Sequence, residues 1–110
     1  MNEKTLDLSK TPQELATLVE IQPNAVVSRT LIGKPAGTVT LFAFDTGEEL
    51  SEHIAPYDAL VQVIEGEVHI HIASQAHIVR AGHIILLPAN VPHAVRADVS
   101  CKMLLTMIRA

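Results

Sequence analysis

Residues 47–66 read GEELSEHIAPYDALVQVIEG, and residues 82–93 read GHIILLPANVPH. The first stretch has the form Gly-x5-His-x-Ala-x3-Ala-x6-Gly, with its histidine at position 53 and its alanines at positions 55 and 59. The second stretch has the form Gly-x5-Pro-x-Asn-x2-His and ends on His93. In both stretches turn residues flank a short apolar run, which is typical of β-strands joined by tight turns.

Short strands rich in Val, Ile, Leu and Thr are predicted along the rest of the chain after Pro23. They lie at Val26–Ile32, Thr38–Phe44, Ala59–Ile64, Glu67–Ala73, His77–Val79, His83–Leu87, His93–Ala97 and Cys101–Ile108. Many short strands at regular spacing favour a sandwich or barrel over alternating β and α units. The length of 110 residues fits one domain with a genuine core.

One helix is predicted near the N-terminus. Thr11, Pro12 and Glu14 have the pattern of a capping box, in which a hydroxyl caps the helix and a carboxylate follows three residues later. The helix is expected to end before Pro23, with an apolar stripe of Leu15, Leu18 and Val19. Residues 1–25 are therefore assigned to an N-terminal extension and residues 26–110 to the β domain.

The composition narrows the class of protein. Hydrophobic residues make up 48% of the chain, and the net charge of −4 comes with no basic cluster, so no nucleic-acid partner is expected. The first five residues lack an apolar signal core, and apolar runs such as Ile84–Leu87 are too short to span a bilayer. Cys101 is the single cysteine and cannot form an internal disulfide. We expect a cytoplasmic protein with no membrane partner.

The two opening stretches resemble the two motifs of the cupin superfamily. In that family the first motif supplies His, His and Glu and the second supplies one more His, all to one metal inside a small β-barrel. Val61–Glu67 and Val91-Pro92-His93 also resemble segments of these motifs. The resemblance covers roughly residues 38–109 and implies a small single-domain bacterial cupin. The implied fold is an all-β, RmlC-like jelly roll, that is, a double-stranded β-helix with a short N-terminal helix.

The resemblance implies a degenerate metal site. Only His53 and His93 match the metal-binding positions, because Ala55 and Ala59 replace the other histidine and the glutamate. A divalent transition metal (Fe, Mn, Ni, Cu or Zn) would be held weakly, since catalytic centres usually keep three protein ligands. Met103 or Met107 approaching from the last strand would favour copper(I). An equal alternative is that both histidines are hydrogen-bonded in a pocket without metal.

A pocket is expected at one end of the barrel. Asp58 and Gln62 are candidates for a substitute ligand or an acid-base group. The predicted lining is His53, His93, Asp58, Gln62, Val61, Val63, Leu87 and Met103.

The other histidines are predicted to face solvent. His69 and His71 point to one face of a predicted strand, and two rings there could bind a metal. However, the alternating residues Val68, Ile70 and Ile72 are the better core candidates. His77 and His83 lie beside turns and are expected to be exposed.

Two strands, Thr38–Phe44 and Cys101–Ile108, are apolar on both faces, although a single-layer antiparallel sheet normally keeps one polar face. A short helix cannot cover all of this surface, so a homodimer is expected.

Three functions stay open: a small-molecule binding or sensing protein, a metal-dependent enzyme (oxygenase, isomerase or decarboxylase) acting on a small organic substrate, and a scaffold without ligand. The fold alone does not choose among them.

Overall fold

The computed structural model describes residues 7–109. The first six residues of the predicted N-terminal extension, and Ala110 at the end of the predicted β domain, lie outside the described residues. The prediction about an N-terminal signal falls on that undescribed part.

Within residues 7–109, one turn of 3-10 helix at Leu15–Leu18 precedes nine β-strands. The strands are β1 (Val26–Lys34), β2 (Gly37–Phe44), β3 (Glu49–His53), β4 (Asp58–Glu65), β5 (Glu67–Ile72), β6 (Gln75–Arg80), β7 (Ile84–Leu87), β8 (His93–Arg96) and β9 (Cys101–Ile108). The single helical turn in this part of the chain is far shorter than a helix that could cross a bilayer.

The strands form two antiparallel sheets that pack face to face. The five-stranded sheet has the order β1-β2-β9-β4-β7, and the four-stranded sheet has the order β3-β8-β5-β6. The main core lies between them and is built from alternating residues of both sheets, including Phe44, Val61, Val63, Val68, Ile70 and Met103. This architecture confirms the predicted all-β jelly-roll fold.

A second, smaller core lies on the outer face of the five-stranded sheet. Leu41 and Ala43 of β2 are buried there under Val19 of the N-terminal segment. Arg29 Nη1 donates a hydrogen bond to the Leu18 carbonyl at 3.0 Å, and Lys102 Nζ donates one to the Ala16 carbonyl at 2.7 Å. The N-terminal segment therefore covers one end of the outer face, which explains why β2 is apolar on both sides.

The predicted short N-terminal helix is present as one 3-10 turn, but the predicted capping box is wrong. The structure has a four-residue 3-10 turn whose preceding residue, Glu14, is extended and makes no side-chain capping bond. The Thr11 hydroxyl instead accepts a hydrogen bond from Gln13 Nε2 at 3.1 Å. Helix nucleation is unfavourable in so short a segment, and the apolar residues bury themselves by lying across the sheet.

Gly66 joins β4 to β5 and combines a positive φ with a close approach to a neighbouring backbone segment. Its φ is +73°, and a Cβ there would lie 2.6 Å from the Ser100 carbonyl oxygen. Gly82 is a matched control, because its φ is +87° but nothing lies within 4 Å of the same added atom.

We expect Gly66→Ala to lower the free energy of unfolding by more than Gly82→Ala. Positive φ alone costs about 1–3 kcal/mol for a non-glycine residue, and only Gly66→Ala adds a backbone clash. Urea denaturation of both variants measures the difference. Equal losses would show that the close approach to Ser100 is unimportant.

Candidate functional site

A cavity of about 240 Å³ lies between the two sheets. It is lined by Phe42, Leu50, His53, Ala55, Tyr57, Ala59, Leu87, His93, Val95, Met103, Leu105 and Met107. Among these lining side chains only the two histidines and the tyrosine carry hydrogen-bonding nitrogen or oxygen. The cavity is therefore an apolar chamber with a small polar region.

Strand pairing brings the two histidines together. His53 ends β3 and lies opposite His93, the first residue of β8, in the antiparallel ladder. Their Nε2 atoms are 3.1 Å apart, and their ring centroids are 4.3 Å apart at an interplanar angle of 70°. His93 is 6% exposed, whereas His53 is exposed at the rim. The pair thus connects the buried cavity to solvent.

Backbone carbonyl groups hold the other nitrogen of each ring. His53 Nδ1 lies 3.0 Å from the Ser51 carbonyl oxygen, and His93 Nδ1 lies 3.3 Å from that of Val91. A carbonyl oxygen can only accept, so these contacts are hydrogen bonds in the tautomer that carries its proton on Nδ1. This arrangement orients both Nε2 atoms toward each other.

The surroundings of His93 disfavour its charged form. Burial lowers the pKa of His93 most, the charge of His53 lowers it further, and the hydrogen bond to the Val91 carbonyl opposes both effects. Protonating both rings would place two positive charges side by side in a desolvated site, which is unfavourable.

Asp58 and Gln62 do not lie in the cavity, which corrects the predicted pocket. Both are exposed, while Ala59, Val61 and Val63 between and beside them are buried. Alternate residues of a strand point to opposite faces, so the polar positions of β4 face outward. The Asp58 carboxylate instead accepts a hydrogen bond from the Ala89 backbone N–H at 2.8 Å.

The apolar part of the predicted lining divides into two groups. Leu87 and Met103 line the cavity, whereas Val61 and Val63 are buried in the adjoining core. The predicted lining left out Phe42, Leu50, Tyr57, Val95 and Leu105, and it also left out Met107, which was considered only as a ligand of copper(I). Leu105 and Met107 lie on the same face of β9 as Met103, because alternate residues of a strand point in the same direction. This alternation could have predicted both as lining residues.

The family model for the cupin domain matches residues 40–108, which is more than half of the chain. The chain belongs to the cupin domain family. It is similar to a conserved protein of unknown function from Streptococcus pyogenes, with a TM-score of 0.90, 31% identity and coverage of 97% of this chain and 93% of that one. A cupin superfamily protein from Desulfitobacterium hafniense has a TM-score of 0.88, 29% identity and coverage of 98% of both chains.

A curated relative of this cupin is the polyketide synthase CurC of Streptomyces cyaneus. The two are 24% identical over 98 residues, which cover 81% of this chain. The cupin spans 64% of the length of that relative.

The donor set of this cupin does not fit a resident metal of the family type. Ala55 and Ala59 line the same cavity as the two histidines, so methyl groups stand where two ligands would be expected. Within residues 7–109, no three or more His, Cys, Asp or Glu side chains are grouped to hold a metal. Two imidazoles alone fall short of the three protein ligands of a typical catalytic centre. Weak metal binding by His53 and His93 stays a prediction.

The remaining candidates for chemistry lie elsewhere in the cupin. His69 is on the outer face of β5, where its Nε2 lies 3.3 Å from Asp98 Oδ2 and 3.5 Å from Glu67 Oε2. His83 is exposed as predicted, whereas His77 is half-buried. Cys101 is fully buried, and burial raises the pKa of its thiol to about 11. It is therefore a core residue and a poor nucleophile at neutral pH.

Proposed function

We propose that this cupin binds a small, largely apolar organic molecule in the cavity between its sheets, with the polar end of the ligand against His53 and His93. The partly enclosed apolar cavity, with the two histidines in its lining, carries this proposal. Such a combination of apolar walls and a few placed polar groups is typical of small-molecule sites. No metal ligand beyond the two histidines is needed for this role.

The size of the cavity limits the ligand. Its volume of about 240 Å³ exceeds the ~150 Å³ of an engineered apolar cavity that binds benzene. It is smaller than the roughly 300–1,000 Å³ of sites for drug-sized ligands. We therefore expect a ligand with about the bulk of one substituted ring.

Toluene is a suitable probe of the cavity itself, because it matches the expected size and has no polar group. We would follow the methyl signals of Leu87, Val95 and Leu105 by NMR during a toluene titration. Saturable shifts at these residues support the proposal. Shifts that are linear and spread over the surface would contradict it.

A metal-dependent cupin enzyme, of the oxygenase, isomerase or decarboxylase type, is the second candidate. One observation favours it: two Nε2 atoms at 3.1 Å could both reach one metal at bond lengths of about 2.0–2.1 Å. Met103 and Met107 also line the cavity and could supply sulfur ligands to a soft metal. This candidate requires a metal that stays bound through purification.

We also propose that the protein acts in the cytoplasm as a homodimer. The buried, unpaired Cys101 requires no oxidising compartment.

On the outer face of the five-stranded sheet, Leu60 pairs with Leu86 across β4 and β7. Leu60 is 38% exposed, Leu86 is 49% exposed and Ile84 is 61% exposed. Ile32 and Ile108 extend the same apolar face, and a contiguous patch of this kind is typical of a protein interface.

We expect the parent chain to be a dimer and the Leu60→Lys/Leu86→Lys variant to be a monomer. If the dimer forms through this face, it would bury the two lysine charges without partners. Light scattering after gel filtration measures the mass. Ile78→Lys is the matched control, since Ile78 is 47% exposed on the other sheet. A parent chain with the mass of one subunit would contradict the proposal.

A further inference from the structure

We propose that two copies of this cupin pack the uncovered half of the outer face of their five-stranded sheets together, with a two-fold axis along β9 and with Lys34 of each copy next to Asp58 of the partner subunit. This inference rests on the proposed homodimer and adds which residues meet across it. It also gives a role to an outward-facing groove that the small-molecule proposal leaves unused.

The uncovered half is built from two rows of residues that run across the sheet. Residues paired in neighbouring strands lie side by side and point to the same face. The first row consists of Ile32, Val39, Thr106, Leu60 and Leu86. The second row consists of Lys34, Gly37, Ile108 and Asp58.

Both rows lie on the outer face, because Val39 and Leu41 are alternate residues of β2 and Leu41 belongs to the second core. The N-terminal segment covers the other half of this face, over Leu41 and Ala43. Within residues 7–109, the two rows are therefore the part of the outer face that this segment leaves open.

The two ends of the first row differ in shape. Toward β1 and β2, a groove of about 240 Å³ is open to the surface, and its lining includes Ile32, Gly37, Val39, Thr106 and Ile108. Toward β4 and β7, Leu60 is 38% exposed and Leu86 is 49% exposed. A groove at one end and exposed leucines at the other make this surface complementary to a copy of itself with the strand order reversed.

A two-fold axis parallel to the strands gives that reversal. In an isologous dimer the same surface faces itself, and when two sheets pack face to face the axis must lie in the plane between them. An axis along β9, the middle strand of the sheet, places β1 over β7 of the other copy and β2 over its β4. Ile32 then faces Leu86 of the partner subunit, and Leu60 of the partner subunit enters the groove.

The charges of the second row favour this axis. Lys34 and Asp58 are both exposed, and neither makes an ion pair within residues 7–109. The Ala89 N–H donates to Oδ1 of Asp58 at 2.8 Å, which leaves Oδ2 for a lysine. Reversed strand order brings these opposite charges together. An axis perpendicular to the strands would instead place β1 over β1 and β4 over β4, so like charges would meet.

Cross-linking of single cysteines tests the axis. Sheets that pack face to face lie about 10 Å apart, which suits a short bismaleimide and is too far for a disulfide. Thr106 lies on the proposed axis, so Thr106→Cys alone should give a covalent dimer on a denaturing gel. The parent chain is the control, since its Cys101 is fully buried.

Two positions away from the axis sharpen this test. Ile32→Cys and Leu86→Cys should not cross-link alone, because each position would be about 20 Å from its counterpart. The Ile32→Cys/Leu86→Cys double variant should cross-link, since these positions face each other between copies and lie at opposite edges of the sheet within one copy.

Lys34→Glu tests the ion pair without a cysteine. We expect it to raise the Kd of the dimer at least about tenfold in sedimentation experiments, because it places two carboxylates side by side at two symmetric positions. Lys10→Glu is the matched control, since it makes the same charge change at an exposed residue outside both rows.

The outcomes separate this arrangement from the homodimer itself. A dimer in which Ile32→Cys or Leu86→Cys cross-links alone, or in which Thr106→Cys does not, overturns the arrangement while the homodimer stands. An unchanged Kd in Lys34→Glu overturns the ion pair. A parent chain with the mass of one subunit overturns both the arrangement and the homodimer.

Discussion

The double variant Ala55→His/Ala59→Glu is expected to bind one Zn²⁺ per subunit at least about a hundredfold more tightly than the parent chain. Both alanines line the cavity that contains His53 and His93. The variant would therefore bring three imidazoles and one carboxylate to the same space, which is a complete zinc ligand set. Losing only a hydrogen-bond partner of one ligand changes metal affinity by about 10–100-fold, so two new ligands should have a larger effect.

Calorimetric titration with ZnCl₂ measures this gain. Ala36→His provides a control, because Ala36 is exposed in the turn between β1 and β2 and its replacement adds an imidazole outside the cavity. Adding His93→Ala to the double variant should remove most of the new affinity. A double variant that folds and binds zinc no better than the parent would show that the four positions do not converge.

Filling the cavity is expected to abolish toluene binding without unfolding the protein. Ala59 is 7% exposed and faces the cavity from β4, so the leucine of Ala59→Leu would occupy the space of the ligand. Each buried methylene contributes about 0.8 kcal/mol, whereas overpacking costs about 1–3 kcal/mol. Because a cavity of about 240 Å³ is available, we expect the melting temperature to stay equal or rise.

Ala76→Leu is the matched control for that change, since it adds the same side chain at an exposed position. The NMR titration with toluene should saturate in the parent chain and in this control but not in Ala59→Leu. Unchanged binding in Ala59→Leu would place the toluene site outside the cavity and remove the main support for the binding function.

The sequence was sufficient to predict most strands, because their apolar residues alternate or are buried on both faces. The strand Glu49–His53 escaped prediction, since four of its five residues are exposed and it has little apolar patterning. It forms because it pairs with β8, a long-range interaction that local propensity does not contain. The N-terminal helix is shorter than its capping pattern suggested: Leu15–Leu18 forms one 3-10 turn without a capping bond, and Leu15 and Leu18 pack against the sheet.

The site was predictable in part. The spacing of the two motifs predicted that His53 and His93 belong together, and the structure places them 3.1 Å apart at Nε2. The sequence could not give the ring orientation, because that depends on the carbonyl groups of Ser51 and Val91. Asp58 and Gln62 were misplaced because the face of β4 that meets the cavity follows from strand register.

The account interprets His53 and His93 as too few ligands to retain a metal, and metal content per subunit tests this interpretation most directly. We would use elemental mass spectrometry on protein purified without a His tag or chelator, beside the His53→Ala/His93→Ala variant. The account predicts far less than one metal ion per subunit in both proteins, after metal supplementation as well. Near-stoichiometric metal in the parent chain that is lost in the variant would contradict it and favour the metal-dependent enzyme.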